Sequence, residues 1–266
     1  VATLVMNRPH TRNSLSTEMM TALETNFKLV SSDSTVKVVV LRGSPVGFCA
    51  GHDLREITHH RSDSDKGLKF FSALLSQCSA LMQTIINCPK PVIAQVEGVA
   101  SAAGCQLVAT CDLAIATPDA RFATPGVNIG LFCSTPMVAV SRAVSRKHAM
   151  EMLLLGDLID ASKAKEIGLI NWVVPSVNIN KKTSDIALKI ASKSPCSIDY
   201  GKAAFYKQVE LNLAAAYAHT SAVMVQNLME GEAKEGIAAF LEKRAPVWGG
   251  EVPSHSGSSS SRPSKL

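Results

Sequence analysis

Two short apolar runs constrain this chain more than any other feature: Val36 to Leu41 and Val92 to Val96, each followed by a stretch of small residues. A run with few polar interruptions suits a strand buried on both faces, the kind found in parallel sheets covered by helices. The first small-residue stretch is Phe48-Cys49-Ala50-Gly51-His52-Asp53-Leu54-Arg55. The second is Gly98-Val99-Ala100-Ser101-Ala102-Ala103-Gly104-Cys105. Small residues let a ligand approach the backbone closely. A helix start supplies amide N–H groups with no intrahelical partner, which can hold an oxyanion. Two such loops can aim two N–H groups at one oxygen, the device that stabilises an enolate or a tetrahedral anion.

The rest of the chain fits around these runs. Val1 to Met6 alternates and reads as a strand, and Asn7 to Ser14 as a turn. Ser16 can cap a helix whose stripe is Met19/Met20, Leu23, Phe27 and Val30. His59 to Lys66 is polar and charged and reads as a flexible loop able to gate a nearby site. Leu68 to Ile86 predicts a long amphipathic helix with Phe71, Leu74/Leu75, Cys78, Leu81/Met82 and Ile85 on one face, ended by Pro89 and Pro91. Ala103 to Ala109 predicts a short helix and Leu113 to Ala116 a strand. Pro118 to Pro136 reads as one long irregular loop, a length that usually carries function. Ser145 can cap a helix through Leu155, Asp160 another closed by Gly168, and Ile170 to Val174 forms a last strand. Beyond that the pattern is helical. Strand–helix units followed by a helical third indicate an α/β spiral core over 1–195, a helical region over 196–248 and a Ser/Pro/Gly-rich, disordered tail over 249–266.

Composition removes several function classes. The net charge is +5 and no dense Lys/Arg run occurs, which disfavours nucleic acid but suits a phosphorylated small molecule. No apolar run approaches the ~18 residues of a membrane span. Seven cysteines without a C-x-x-C pair read as reduced, buried thiols. His59-His60 has no third ligand at useful spacing, so no metal site is expected. Dinucleotide, P-loop and G-x-S-x-G motifs are missing. Val1 falls inside a strand without a methionine, so a preceding segment, such as a targeting peptide, is expected. Ser264-Lys265-Leu266 reads as a peroxisomal address, with the mitochondrial matrix as the alternative location.

The first loop resembles the F-x-A-G-x-D-L segment of the enoyl-CoA hydratase/isomerase (crotonase) superfamily, and the second its G-x-x-x-G-G-G-x-x-L segment. Asn7-Arg8-Pro9, Arg12-Asn13-Ser14-Leu15, Cys111-Asp112-Leu113-Ala114 and Phe240-Leu241-Glu242-Lys243-Arg244 match in the right order, so the likeness runs from about Thr3 to Trp248. It implies a ββα superhelix with a helical C-terminal trimerisation region, and homotrimers or hexamers. It also implies an acyl-CoA thioester as ligand, with coenzyme A arriving as part of the substrate and no separate cofactor. The backbone N–H groups of His52 and Ala103 fall at the two oxyanion donors, where Ala103 replaces a glycine. Arg12, Asp53, Leu54 and Arg55 match positions near CoA, and Phe240 and Lys243 match C-terminal positions that touch CoA from the neighbouring subunit. Asp53 also suits a turn cap, and Phe240 a core position of its own helix.

The chain departs from the family where proton transfer occurs. The two hydratase glutamates correspond to Gln106 and Gly126, and a later aspartate used by dienoyl isomerases and a dehalogenase corresponds to Ser134. Gln106 can orient a water but cannot usefully accept a proton. The His52 imidazole titrates near neutrality and could act as a base, though a lone histidine in a loop more often only packs or hydrogen-bonds. Three functions compete. They are an acyl-CoA enzyme with reduced or altered chemistry, a silent acyl-CoA-binding or assembly protein of the same fold, and a CoA-thioester decarboxylase, for which an oxyanion hole alone can suffice.

Overall fold

The computed structural model describes residues 1–45 and 47–249. The chain forms two compact units that divide between Ser192 and Lys193. The expected tail, with Ser264 to Leu266, lies outside the described residues apart from Gly249.

Strands are numbered in chain order. In the first unit β1 (Ala2–Met6), β2 (Val39–Gly43), β3 (Val92–Val96), β5 (Leu113–Ala116) and β8 (Trp172–Val173) form an all-parallel sheet in the order β1-β2-β3-β5-β8. Its middle is buried on both faces, and the alternation shows how. Val92, Ala94 and Val96 of β3, with Ala114 and Ala116 of β5, face one apolar cluster shared with Met20, Phe27, Leu81, Ile85 and Leu107. Ile93 and Ile115 face a second cluster with Val38, Ile179 and Ala187. The period-2 side-chain geometry of a strand sends neighbouring residues to opposite layers, so a near-continuous apolar run is what both layers need.

Helix α1 (Thr17–Ser32) starts at Ser16, whose hydroxyl accepts from the Met19 N–H at 3.2 Å, and it buries Met19, Met20, Leu23 and Phe27 as the stripe requires. Then come α2 (Leu54–His60) and α3 (Leu68–Asn87), the latter burying Leu74, Cys78, Leu81, Met82 and Ile85. α4 (Ala103–Thr110), α5 (Ser134–Ala143), α6 (Arg146–Leu155), α7 (Ala161–Glu166) and α8 (Ser176–Ala191) complete this unit. The second unit holds α9 (Pro195–Gln208), α10 (Leu213–Met229) and α11 (Gly231–Leu241).

Several expectations need correcting. The segment from Pro118 to Pro136 is not one irregular loop. It contains β6 (Arg121–Ala123), a 3-10 turn (Pro125–Ile129) and the start of α5. β6 pairs in parallel with β4 (Val99–Ser101) and antiparallel with β7 (Ile159–Asp160), making a second small sheet. His59 and His60 are not in a loop; they are the last turn of α2, where the His60 ring stacks on Phe70 at 3.7 Å and meets Asp63 at 2.8 Å. Sheet pairing of the first apolar run begins at Val39, not Val36. Asp160 caps α7 through the Lys163 N–H at 2.7 Å, whereas Ser145 precedes α6 without a side-chain capping bond. All seven cysteines are free; Cys196 is half-buried and the others are buried. Among the described residues no helix is long and apolar enough to cross a membrane.

Candidate active site

The two small-residue loops interlock. The Cys49 N–H donates to the Val99 carbonyl at 3.0 Å, and the Ser101 N–H donates to the Cys49 carbonyl at 2.9 Å. Gly104 makes this possible, because a Cβ there would stand 2.1 Å from the Cys49 carbonyl oxygen. On its other side the first loop is bonded to the segment before α1. The Ala50 N–H donates to the Arg12 carbonyl at 3.1 Å, the Leu15 N–H to the Gly51 carbonyl at 2.8 Å, and the Asp53 N–H to the Leu15 carbonyl at 3.3 Å.

Of the amides next to His52 and Ala103, the Asp53 N–H donates to the Leu15 carbonyl and the Ala102 N–H to the Ala123 carbonyl at 2.9 Å. Neither the His52 N–H nor the Ala103 N–H donates to an acceptor among the described residues. Ala103 is the first residue of α4 and is 1% exposed, so its N–H is a shielded donor at a helix start. The loops approach closely at this point: a Cβ on Gly51 would lie 3.4 Å from the Ala103 nitrogen. Gly51 can do this because its φ of 93° needs no side chain. Ala102, which sets the direction of the Ala103 N–H, is held at φ 50°, ψ −115°, a conformation that disfavours any side chain.

Asn13 anchors the loop from below and is fully buried at φ 56°. Its Nδ2 donates to the carbonyls of Ser44 (3.2 Å) and Gly47 (2.8 Å), and its Oδ1 accepts from the Arg8 N–H (2.9 Å) and the Ser44 hydroxyl (3.0 Å). Asp53 is the N-cap of α2, accepting from the Arg55 N–H at 3.1 Å and the Ser14 hydroxyl at 3.4 Å. Glu56, one turn on, accepts from the Thr17 N–H at 3.1 Å and from its hydroxyl, tying the starts of α1 and α2 together.

The His52 ring is packed away. Nδ1 and Nε2 are both buried without a hydrogen-bond partner among the described residues. Burial pushes its pKa below the ordinary value, opposed by the nearby Leu15 carbonyl and the Glu56 carboxylate. That carbonyl polarises the ring without reaching hydrogen-bond geometry.

Gln106 is 4% exposed on α4, its Oε1 meeting the Cys78 Sγ at 3.8 Å. Gly126 is buried in the 3-10 turn, and its N–H donates to the Cys133 Sγ at 3.3 Å. Ser134 is exposed at the start of α5. Arg12, Leu54 and Arg55 are exposed on the first unit, and neither arginine side chain makes a hydrogen bond among the described residues. In the second unit Phe240 is 82% exposed, so it is not a core residue of α11 within this chain, and Lys243 follows at φ 55°. Among the described residues no group of three metal-ligating side chains occurs. Asn13, Ala102 and Cys133 went unassigned in the sequence. Asn13 sits in a quoted motif, and an Asn inside a turn is the signal for a left-handed residue with four hydrogen-bonding positions.

A parallel-sheet core that brings two loops together beside a helix start, followed by a helical C-terminal unit, is the crotonase fold. Residues 1–251 match the family model described as Enoyl-CoA hydratase/isomerase, and the chain belongs to that family. It is 45% identical over 251 residues to human enoyl-CoA hydratase domain-containing protein 3, mitochondrial, covering 94% of this chain and 81% of that protein. The solved structure of that human protein superposes with a TM-score of 0.87 over 92% of this chain and 95% of the other. An enoyl-CoA hydratase structure from Mycobacterium smegmatis is 46% identical and superposes with a TM-score of 0.88, covering 92% and 94% of the two chains. A probable enoyl-CoA hydratase of Rhizobium meliloti is 31% identical, with 92% of each chain covered.

Proposed function

We propose that this chain binds an acyl-CoA thioester, with the backbone N–H groups of His52 and Ala103 holding the thioester oxygen, and that it hydrates enoyl-CoA weakly or not at all. The observation that carries this is the pair of unpaired amides on loops that touch at Gly51 and Ala103. A shielded N–H without a partner is rare in a folded chain and is well used on a ligand oxygen. Exposed Arg12 and Arg55 suit the phosphates of CoA and Leu54 its remaining contacts, while Phe240 and Lys243 suit contacts with CoA held by a neighbouring subunit. Asp53 contributes by capping α2, which fixes the loop. CoA comes with the substrate, so no separate cofactor is needed.

The weak chemistry follows from Gln106 and Gly126. Hydration needs an acid and a base near the C2–C3 bond, and losing each typically costs ~10²–10⁴-fold. Gln106 is buried against a thiol and Gly126 has no side chain, so neither supplies a proton-transfer group. A silent binding protein of the same family is the second reading, favoured by this same packing. The test is a panel of CoA thioesters assayed for turnover, with binding measured by calorimetry in parallel. Binding with crotonyl-CoA hydration far below the ~10–10³ s⁻¹ of ordinary enzymes supports the proposal. No binding by any member of the panel sinks it. Binding without turnover selects the silent reading.

Self-association into a trimer or hexamer is part of the proposal, supported by the exposed Tyr217, Met224, Leu228, Phe240 and Leu241 of α10 and α11. Light scattering decides it. For location, the relatives whose printed names include "mitochondrial" favour the matrix over the peroxisome. Imaging the full-length protein with and without Ser264 to Leu266 separates the two: relocation on deletion restores the peroxisomal assignment.

A further inference from the structure

The proposed binding gives the His52 ring, in the first of the interlocked loops, no use. Its two nitrogens are enclosed and unpaired among the described residues, while its own backbone N–H is left free. Buried polar atoms almost always have partners, and an orphaned one costs stability. A neutral imidazole bears that cost modestly; a charged one bears a much larger desolvation penalty. The surroundings offer little to a cation. From the segment before α1 comes the Leu15 carbonyl, already accepting from the Asp53 N–H. From α2 comes Glu56, whose carboxylate is already held by Thr17. Asp53 is occupied as a cap by Arg55 and Ser14, with Arg8 at 4.0 Å.

We propose that the His52 imidazole is a positioning group for its own backbone N–H: neutral and packed, it holds the Gly51–Asp53 turn against Ala103, and on protonation it leaves its niche and releases the turn. This rests on the acyl-CoA reading only for its consequence, because the release itself is a property of the free chain. The ring's depressed basicity agrees in direction, since burial is its main cause. With an open-state pKa near the ordinary ~6.5, opening at pH 5.5 is favoured by about tenfold over its value at neutral pH.

Hydrogen exchange of the 49–55 amides, corrected for the intrinsic pH dependence of exchange, tests this at pH 7.5 and 5.5. Wild type is expected to lose about tenfold in protection at pH 5.5, and His52→Phe to show no pH-dependent loss. Equal loss in both proteins, or none in wild type, overturns the proposal. Should His52→Phe fail to fold, the ring titration of wild type followed by NMR decides. An imidazole titrating below 6.5 together with shifts of the Gly51–Asp53 amides supports the latch, and titration at the ordinary value without such shifts overturns it. Butyryl-CoA affinity measured at both pH values separates the two proposals. Absence of binding at either pH removes the acyl-CoA reading and leaves the exchange result standing. Binding that weakens at pH 5.5 in wild type but not in His52→Phe joins them, and binding equally strong at both pH values in wild type overturns the latch.

Discussion

The Gly126 N–H donates to the Cys133 Sγ at 3.3 Å, and a Cβ built on Gly126 would stand 3.0 Å from the same sulfur, 3.1 Å from the Leu131 carbonyl oxygen and 3.2 Å from the Cys133 nitrogen. Two of those three neighbours are backbone, so a side chain fits only if the turn yields. Gly126→Ala is therefore expected to cost about 1–3 kcal/mol in urea unfolding, and Gly126→Glu at least as much. The pair Gln106→Glu with Gly126→Glu is expected to raise crotonyl-CoA hydration above wild type in whatever fraction remains folded. A folded double variant no faster than wild type counts against the vacant-carboxylate account.

Ala102 at φ 50°, ψ −115° stores strain at the turn that aims Ala103. Ala102→Gly relieves it, less the extra freedom glycine gains when unfolded, for a net gain of about 1 kcal/mol. A melting temperature higher by about 2–4 °C is the expected reading. An unchanged or lower value means that the strain is not there.

Asn13→Ala removes four hydrogen bonds and leaves the Ser44 and Gly47 carbonyls without that donor. It also places alanine at φ 56°, where asparagine is better tolerated. The expected loss is about 2–4 kcal/mol by denaturant titration. Asn13→Asp keeps the shape but turns an oxygen towards those carbonyls, so it is expected to lose at least as much. If either variant is as stable as wild type, Asn13 is not the anchor of the loop.

Burial pushes the thiols of Cys49 and Cys105 up to about 12 and those of Cys78 and Cys196 to about 11. Unfolded thiols titrate near ~8.5, so above that pH the unfolded chain has lost protons that the folded chain keeps. Stability must then fall as pH rises from about 8.5 towards 11. A lower urea midpoint at pH 10 than at pH 8 is expected, with little reaction of the native protein with Ellman's reagent at pH 8 and Cys196, the half-buried thiol, reacting first. Fast modification of all the cysteines in the native state would contradict this.

How legible these features were depended on how local their causes are. Ser16, Asp160 and the stripe of α3 were readable because a cap and a helical face are set by neighbours in sequence. Leu113 to Ala116 was readable because both of its faces are buried. β4, β6 and β7 were missed because strands of two or three residues have no periodicity, and their pairing joins Ser101 to Ala123 across an intervening helix and strand, α4 and β5. α5 was hidden by Pro136, which its first turn tolerates. In the site, the motif pointed to the His52 and Ala103 amides, but the strain at Ala102 and the sulfur beside Gly126 depend on contacts no spacing reveals.

α10 presents Leu213, Tyr217, Met224, Val225, Leu228 and Met229 as exposed side chains and buries no residue within its own chain. A helix supported so lightly has little reason to outlast dilution. The self-association proposed above would cover that face and hold 193–249 folded by mass action, so its melting should climb with protein concentration while the first unit's does not. Heating a dilute sample would then separate into two transitions what a concentrated one shows as one.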